Sequence, residues 1–236
     1  MPELPTGSPG PRHALVTGAS SGIGAAVAAR LLADGWTVTG LSRSKPGIRA
    51  PGFTHRPLDL ASADAPAIRS VLNEMPSVDA LVHAAGLLRV GALGALDSEA
   101  GTAMWRLHVA AASLLADGVA PRMAAGGRIV LLGSRVAAGA AGRSQYAATK
   151  AALVGLARSW AIELAPRGIT VNVVAPGATE TPMLLDPERA QSPPRRPPIG
   201  RFIQPTEIAA LVAFLLSPEA GAITGQQIVV CGGASL

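Results

Sequence analysis

Short runs rich in Val, Ile, Leu and Thr alternate along the chain with longer stretches of helical character. "HALVT" (13–17), "WTVTGLS" (36–42), "FTHRPLD" (53–59) and "VDALVHAAG" (78–86) read as strands, as do "GGRIVLLGS" (126–134), "GITVNVVAPG" (168–177) and "QQIVV" (226–230). "GIGAAVAARLLADG" (22–35) reads as a helix ending at a glycine, and further helices are predicted over 62–75, 97–120, 146–165 and 205–217. Strands that alternate with helices point to an α/β fold, a parallel sheet covered on both faces. Neither a repeat nor a linker interrupts the series, so residues 13–236 read as one domain behind a flexible Pro/Gly-rich tail at 1–12. The Pro/Arg-rich segment 180–203 is the one long irregular stretch, and in a compact domain such a stretch reads as a lid.

Composition sharpens this picture. Hydrophobic residues are 49% of the chain and charged ones 15%, which implies a large core and excludes disorder. Ala, Val, Leu and Gly dominate over the 3% of aromatics, which suits close packing of helices on a sheet or between subunits. No apolar run approaches the roughly 20 residues that cross a bilayer. The start, "MPELPTGSPGPR", lacks the apolar stretch of a secretory signal, and the lone Cys231 excludes an internal disulfide, so a reducing cytoplasm is expected.

The net charge of +5 raises nucleic acid as a partner, but the arginines are scattered. Their one cluster, "PERAQSPPRRPPIGR" (187–201), is broken by prolines and carries no aromatic stacking platform, so no nucleic acid is expected. The four histidines, His13, His55, His83 and His108, have no ligand spacing, and no metal site is expected.

Two stretches carry chemistry. "TGASSGIG" (17–24) follows the first strand and opens the first helix, with Gly18, Gly22 and Gly24 spaced G-x-x-x-G-x-G. Glycine there permits a tight turn and close backbone approach to a pyrophosphate, while the helix N-terminus favours an anion. "SQYAATKAAL" (144–153) holds the only tyrosine of the chain, Tyr146, with Lys150 one helical turn away on the same face. A free phenol, with a pKa of about 10, is poorly poised at neutral pH, and a neighbouring ammonium favours its phenolate. Ser144 reads as the cap of that helix.

With Asp59-Leu60, "HAAG" (83–86), Ser134 and "VNVVAPGATETPM" (171–183), these motifs resemble the short-chain dehydrogenase/reductase family over nearly the whole chain. The resemblance implies a Rossmann-type, doubly wound parallel sheet of about seven strands and a nicotinamide cofactor across the strand ends. It places Gly18, Ser20, Ser21, Gly22, Ile23 and Gly24 on the cofactor, with Asp59 at the adenine amino group and Leu60 beside it. Ala84, Ala85 and Gly86 also belong to that site. Pro176 and Gly177 form the turn beneath the nicotinamide, followed by Thr179 and by Thr181, which meets the carboxamide.

By the same resemblance Tyr146 is the general acid or base and Lys150 also holds the nicotinamide ribose. Ser134, twelve positions before the tyrosine, holds the substrate oxygen. "ALVHAAGLLRVGAL", "VNVVAPGATETPM" and "ITGQQIVVCGGASL" are similar to 2,3-dihydro-2,3-dihydroxybenzoate dehydrogenases and to acyl-carrier-protein reductases alike.

The end of the second strand carries Ser42 and Arg43 where an acid would bind the ribose hydroxyls of NAD, so NADP(H) is favoured over NAD(H). The other phosphate-reading position holds Ser21 rather than a basic residue. Two further positions depart from the family. His108 stands where Asn commonly holds a water linked to the lysine, and His83 replaces the first Asn of an "NNAG"-type turn. Three readings stay open for His108: it relays protons, it fills the space through another hydrogen bond, or it marks an impaired member. His83 reads as structural.

Three functions follow. The first is an NADP(H)-dependent carbonyl reductase or alcohol dehydrogenase. The second is an NAD-dependent dihydrodiol dehydrogenase, and the third a dinucleotide-binding sensor without turnover. Ser134 to Gly142, Leu87 to Val90 and the 180–203 lid are expected to form a mostly apolar pocket for an apolar or cyclic carbonyl or alcohol. Arg89 or Arg135 is a candidate for meeting a carboxylate there. The Ala-rich helices at 97–120 and 146–165 suit a homotetramer or homodimer.

Overall fold

The structure, a computed structural model, describes residues 11–187 and 192–236. Most of the tail predicted for 1–12 and residues 188–191 of the lid segment lie outside the described residues. Seven strands form one sheet: β1 (His13–Thr17), β2 (Thr37–Ser42), β3 (Phe53–Pro57), β4 (Ala80–His83), β5 (Arg128–Leu132), β6 (Thr170–Pro176) and β7 (Gln227–Val230). Their spatial order is β3-β2-β1-β4-β5-β6-β7, and every pairing is parallel.

Consecutive strand residues point to opposite faces, and both faces are covered. On one side Leu15, Leu81, Ile129, Leu131 and Val171 pack under helices α2 (Ala65–Asn73), α4 (Ala111–Val119) and α5 (Ser144–Leu164). On the other, Ala14, Val16, Val82, Val130 and Val174 meet α1 (Gly22–Ala33) and α6 (Pro205–Leu216) through Val27, Leu31, Ile208 and Val212. This is the single-domain, doubly wound Rossmann-type architecture that the strand–helix alternation predicts.

Three boundaries differ from the sequence reading. The helix expected from 62 starts at Ala65, because the Asp64 side chain accepts the Ala67 N–H at 2.9 Å and caps it there. The helix expected from 146 starts two residues earlier, so Ser144 is its first residue and not its cap. Arg143 occupies the cap position and turns its guanidinium towards Ser192 instead. The long helix predicted over 97–120 is divided into α3 (Ser98–Trp105), a π-helical turn at Arg106–Ala110, and α4. Within that turn the Ala111 N–H reaches back five residues to the Arg106 carbonyl. Such insertions frequently mark functional sites, and this one contains His108.

Candidate active site

From β1 the chain builds β2 and β3 on one side, then crosses to place β4 on the other. The C-terminal ends of β1 and β4 therefore diverge, and a crevice opens where the strand order reverses. The glycine turn enters this crevice. Gly18 has a φ of +67°, and a side chain there would bring its Cβ to 2.9 Å from the Ala85 backbone. A Cβ on Gly24 would collide with the Gly18 carbonyl oxygen, so the start of α1 rests directly on the turn.

Ser21, the cap residue of α1, is extended and makes no side-chain cap bond, leaving the positive helix end to face the crevice. A bare backbone and uncapped N–H groups facing the crevice fit the pyrophosphate of a dinucleotide.

Most predicted cofactor residues line this crevice: Gly18, Ser20, Ser21, Gly22 and Ile23 from the turn, Ser42 and Arg43 after β2, and Asp59 and Leu60 after β3. Ala84, Ala85 and Gly86 close it from β4, and Thr181 faces Gly22 across it. Arg43 is exposed at the rim. Ser42 is buried and donates its hydroxyl proton to the Ser44 carbonyl at 2.8 Å, with His55 Nε2 3.1 Å away. Arg43 is thus the residue of the pair that presents donors to a ligand. Asp59 accepts the Ala61 N–H at 3.1 Å while facing the crevice.

Gly24, Tyr146, Lys150, Pro176, Gly177 and Thr179 do not line it. Gly177 is packed against Cys231, and the Thr179 hydroxyl turns inward to the Gly177 carbonyl at 3.1 Å.

Tyr146 lies on the first turn of α5, with Lys150 one turn further, its Nζ 5.8 Å from the centre of the phenol ring. Lys150 is 4% exposed and donates to the Leu132 carbonyl at 2.7 Å. Burial pushes its ammonium down to about 7. Ser134, buried just beyond β5, accepts the Val136 N–H at 3.2 Å, a bond that does not use its own hydroxyl proton. Gly86 joins the two halves of the site: a Cβ there would stand 3.7 Å from Lys150 Nζ and 3.2 Å from His108 Nε2.

His83 and His108 are both fully buried and locked. His108 Nε2 accepts the Leu87 N–H at 3.0 Å, so in the neutral ring Nδ1 carries the proton and gives it to Thr149 Oγ1 at 2.8 Å. Thr149 then donates to the Tyr146 carbonyl at 2.8 Å, and the His108 ring stands edge-on to the Tyr146 ring at 5.6 Å. In His83 the polarity is reversed. Thr17 Oγ1 accepts the Ala84 and Ala85 N–H groups at 3.0 and 2.9 Å and donates to His83 Nδ1. His83 Nε2–H bonds the Leu107 carbonyl inside the π-turn at 3.0 Å. His83 thus holds the π-turn from outside, while His108 ties it to Leu87 and Thr149 from within.

Burial, and then the Lys150 charge, hold both imidazoles neutral, with His83 adding to the effect on His108: His83 is lowered to about 3, and His108 also falls well below its ordinary value. The linkage has a definite sign. Between pH 6.5 and about 3 the unfolded chain protonates a histidine that the folded chain keeps neutral, so stability falls as pH falls. Each such group contributes a slope of about 1.4 kcal/mol per pH unit within its window. Urea midpoints measured from pH 7 to 4 are expected to fall steadily, and His83→Asn is expected to flatten the curve. A slope unchanged in His83→Asn would contradict this assignment.

A family model described as enoyl-(acyl carrier protein) reductase matches residues 18–235. A 3-oxoacyl-(acyl-carrier-protein) reductase of Escherichia coli is 42% identical over 234 residues, which cover 93% of this chain and 96% of the relative. The chain belongs to the short-chain dehydrogenase/reductase family. It is an NAD(P)-dependent oxidoreductase of that family. A short-chain dehydrogenase of Burkholderia cenocepacia, solved in complex with NADP, superposes with a TM-score of 0.85 at 37% identity, covering 95% of this chain and 98% of that one. A variant of the actinorhodin polyketide ketoreductase, solved with NADPH, gives 0.86 at 32% identity, with 95% and 97% covered.

Against this family frame, sequence reasoning missed three residues of the site. Thr17 and Thr149 sit inside the quoted motifs, but their role as hydroxyl links between a histidine and the backbone depends on which histidine arrives opposite. Arg143 was passed over because its partner Ser192 is 49 residues away.

Proposed function

We propose that this short-chain dehydrogenase/reductase reduces the carbonyl of a 3-oxo compound to a secondary alcohol with NADPH, Tyr146 supplying the proton. The observation that carries this reading is the buried Lys150 ammonium, 5.8 Å from the centre of the Tyr146 ring and 3.7 Å from where a Cβ would stand on Gly86, a residue that lines the crevice. The bound cofactor supplies the hydride. Ser134 donates its hydroxyl proton to the substrate oxygen and orients it. Tyr146 delivers its phenolic proton to that oxygen as charge develops there, and the Lys150 charge stabilises the phenolate left behind. Lys150, poised near neutrality by burial, is suited to pass the replacement proton.

The closed bonding of His108 favours the space-filling reading over a proton relay, because its Nε2 lone pair and Nδ1–H are both engaged. His108 is then a positioning residue, which orients the Tyr146 turn through Thr149. Arg43 and the lack of an acid after β2 support NADP(H), as do the NADP and NADPH named for the two structural neighbours. The 3-oxo substrate class rests on the name of the E. coli relative. An NAD-dependent dihydrodiol oxidation has the uncharged Ser21 in its favour but not Arg43, and the complete Ser134, Tyr146 and Lys150 set argues against a sensor without turnover. A lid at 180–203, a homo-oligomer and a cytoplasmic setting complete the proposal.

Purified protein given a series of 3-oxo esters is expected to oxidise NADPH faster than NADH and to form the 3-hydroxy ester in equal amount. Binding of NADPH with no alcohol formed across the series would overturn the reading.

A further inference from the structure

At the Arg43 end of the crevice stands a histidine that the proposed catalysis leaves unused. His55 lies on β3, the edge strand of the sheet, with Gly40 of β2 as its register partner. Side chains alternate along a strand, so the next β2 residue on that face is Ser42. The imidazole reaches it. His55 Nε2 is 3.1 Å from the Ser42 carbonyl oxygen and 3.1 Å from its hydroxyl oxygen.

These partners fix the direction of each proton. A carbonyl only accepts, so Nε2 carries hydrogen and donates. The Ser42 hydroxyl gives its own proton to the Ser44 carbonyl at 2.8 Å, which leaves its oxygen to accept from His55. The Ser42 carbonyl also accepts the Leu58 N–H at 3.2 Å, from just beyond β3. Ser42 is therefore held through both of its oxygens, and its bond to Ser44 closes a short turn around Arg43. Ser42 is buried, whereas Arg43 and Ser44 are exposed and Arg43 lines the crevice. The Arg43 guanidinium has no hydrogen bond or ion pair among the described residues. Its direction is set by the turn that carries it, and a fixed turn lowers the ordering cost of binding.

We propose that His55 is a specificity-determining positioning residue: without touching the cofactor, it fixes the Ser42–Ser44 turn so that Arg43 meets the 2′-phosphate of NADP(H). It rests on the reading of Arg43 as the phosphate-binding group, and the two can be tested apart.

The test is equilibrium binding of NADPH and of NADH, read by quenching of protein fluorescence with no substrate present. Wild-type protein is expected to bind NADPH the more tightly. His55→Phe keeps a ring and removes the donor. It is expected to weaken NADPH about three- to tenfold, the range of one lost hydrogen bond, and to leave NADH within about twofold. His55→Leu is expected to do the same, which keeps the test decisive if the larger ring disturbs the strand edge. His55→Gln, whose amide can supply an N–H, is expected to recover most of the loss. In an Arg43→Gln background His55→Phe is expected to cost NADPH nothing further, because the histidine acts through that arginine. An equal loss for both cofactors, no loss for either, or a full additional loss in the Arg43→Gln background would overturn the inference. If Arg43→Gln abolishes the NADPH preference while His55→Phe and His55→Leu keep it, the inference falls and the reading of Arg43 stands. If Arg43→Gln leaves the preference in place, both fall.

Discussion

Tyr146→Phe is expected to lower kcat for carbonyl reduction by about 10² to 10⁴-fold, the range that a positioned proton donor supplies. The substitution removes one oxygen and keeps the ring. The edge-on contact with His108 at 5.6 Å and the seat 5.8 Å from Lys150 Nζ involve the ring and not the hydroxyl. The Thr149 bond to residue 146 uses its backbone carbonyl, so the local helix is also preserved. NADPH affinity, measured by quenching of protein fluorescence, is accordingly expected to stay within about threefold, well under the tenfold that corresponds to 1.4 kcal/mol. A Tyr146→Phe enzyme that turned over at the wild-type rate would place the proton donor elsewhere.

The second large effect is expected at the opposite end of the crevice. Exchanging Arg43 for Asp is expected to reduce the ratio of kcat/KM for NADPH over NADH by about 10²-fold. Charge-assisted hydrogen bonds from a guanidinium to a phosphate contribute roughly 1.5–3 kcal/mol, and the new carboxylate adds repulsion. Arg43 is exposed at the crevice rim, so the exchange costs the core nothing. The buried Ser42 beside it already gives its proton to the Ser44 carbonyl, which leaves little to substitute for the lost guanidinium. Steady-state rates with both cofactors read the ratio directly. A ratio unchanged by Arg43→Asp would mean that the phosphate is held by other groups, or that the enzyme does not select NADP(H).

The parallel sheet and the glycine turn were legible because they depend on local pattern. Alternating strand and helix runs fix a parallel sheet, and glycines at 18, 22 and 24 are needed wherever a helix start rests on a strand end. The Tyr146–Lys150 pair was legible because a helix has a fixed pitch. The π-turn at Arg106–Ala110 was not, since it depends on what meets the Leu107 carbonyl, and that is a histidine 24 residues earlier.

For the same reason His108 left three readings open until Leu87 and Thr149 were seen on its two nitrogens. Arg143 was hidden in the same way. A sequence shows a helix start and suggests Ser144 as its cap, whereas the structure spends the Arg143 guanidinium on Ser192. Long-range polar pairing has no periodicity from which to read it.

The central claim is that Tyr146, Lys150 and Ser134 carry out the proposed carbonyl reduction with NADPH. Its most direct test is a single turnover with NADPH deuterated at nicotinamide C4 and a 3-oxo ester, followed by mass spectrometry of the product. Deuterium is expected at the new carbinol carbon, with product from Tyr146→Phe suppressed by the factor seen in kcat. Tight NADPH binding with no deuterium transferred from either hydrogen position would contradict it.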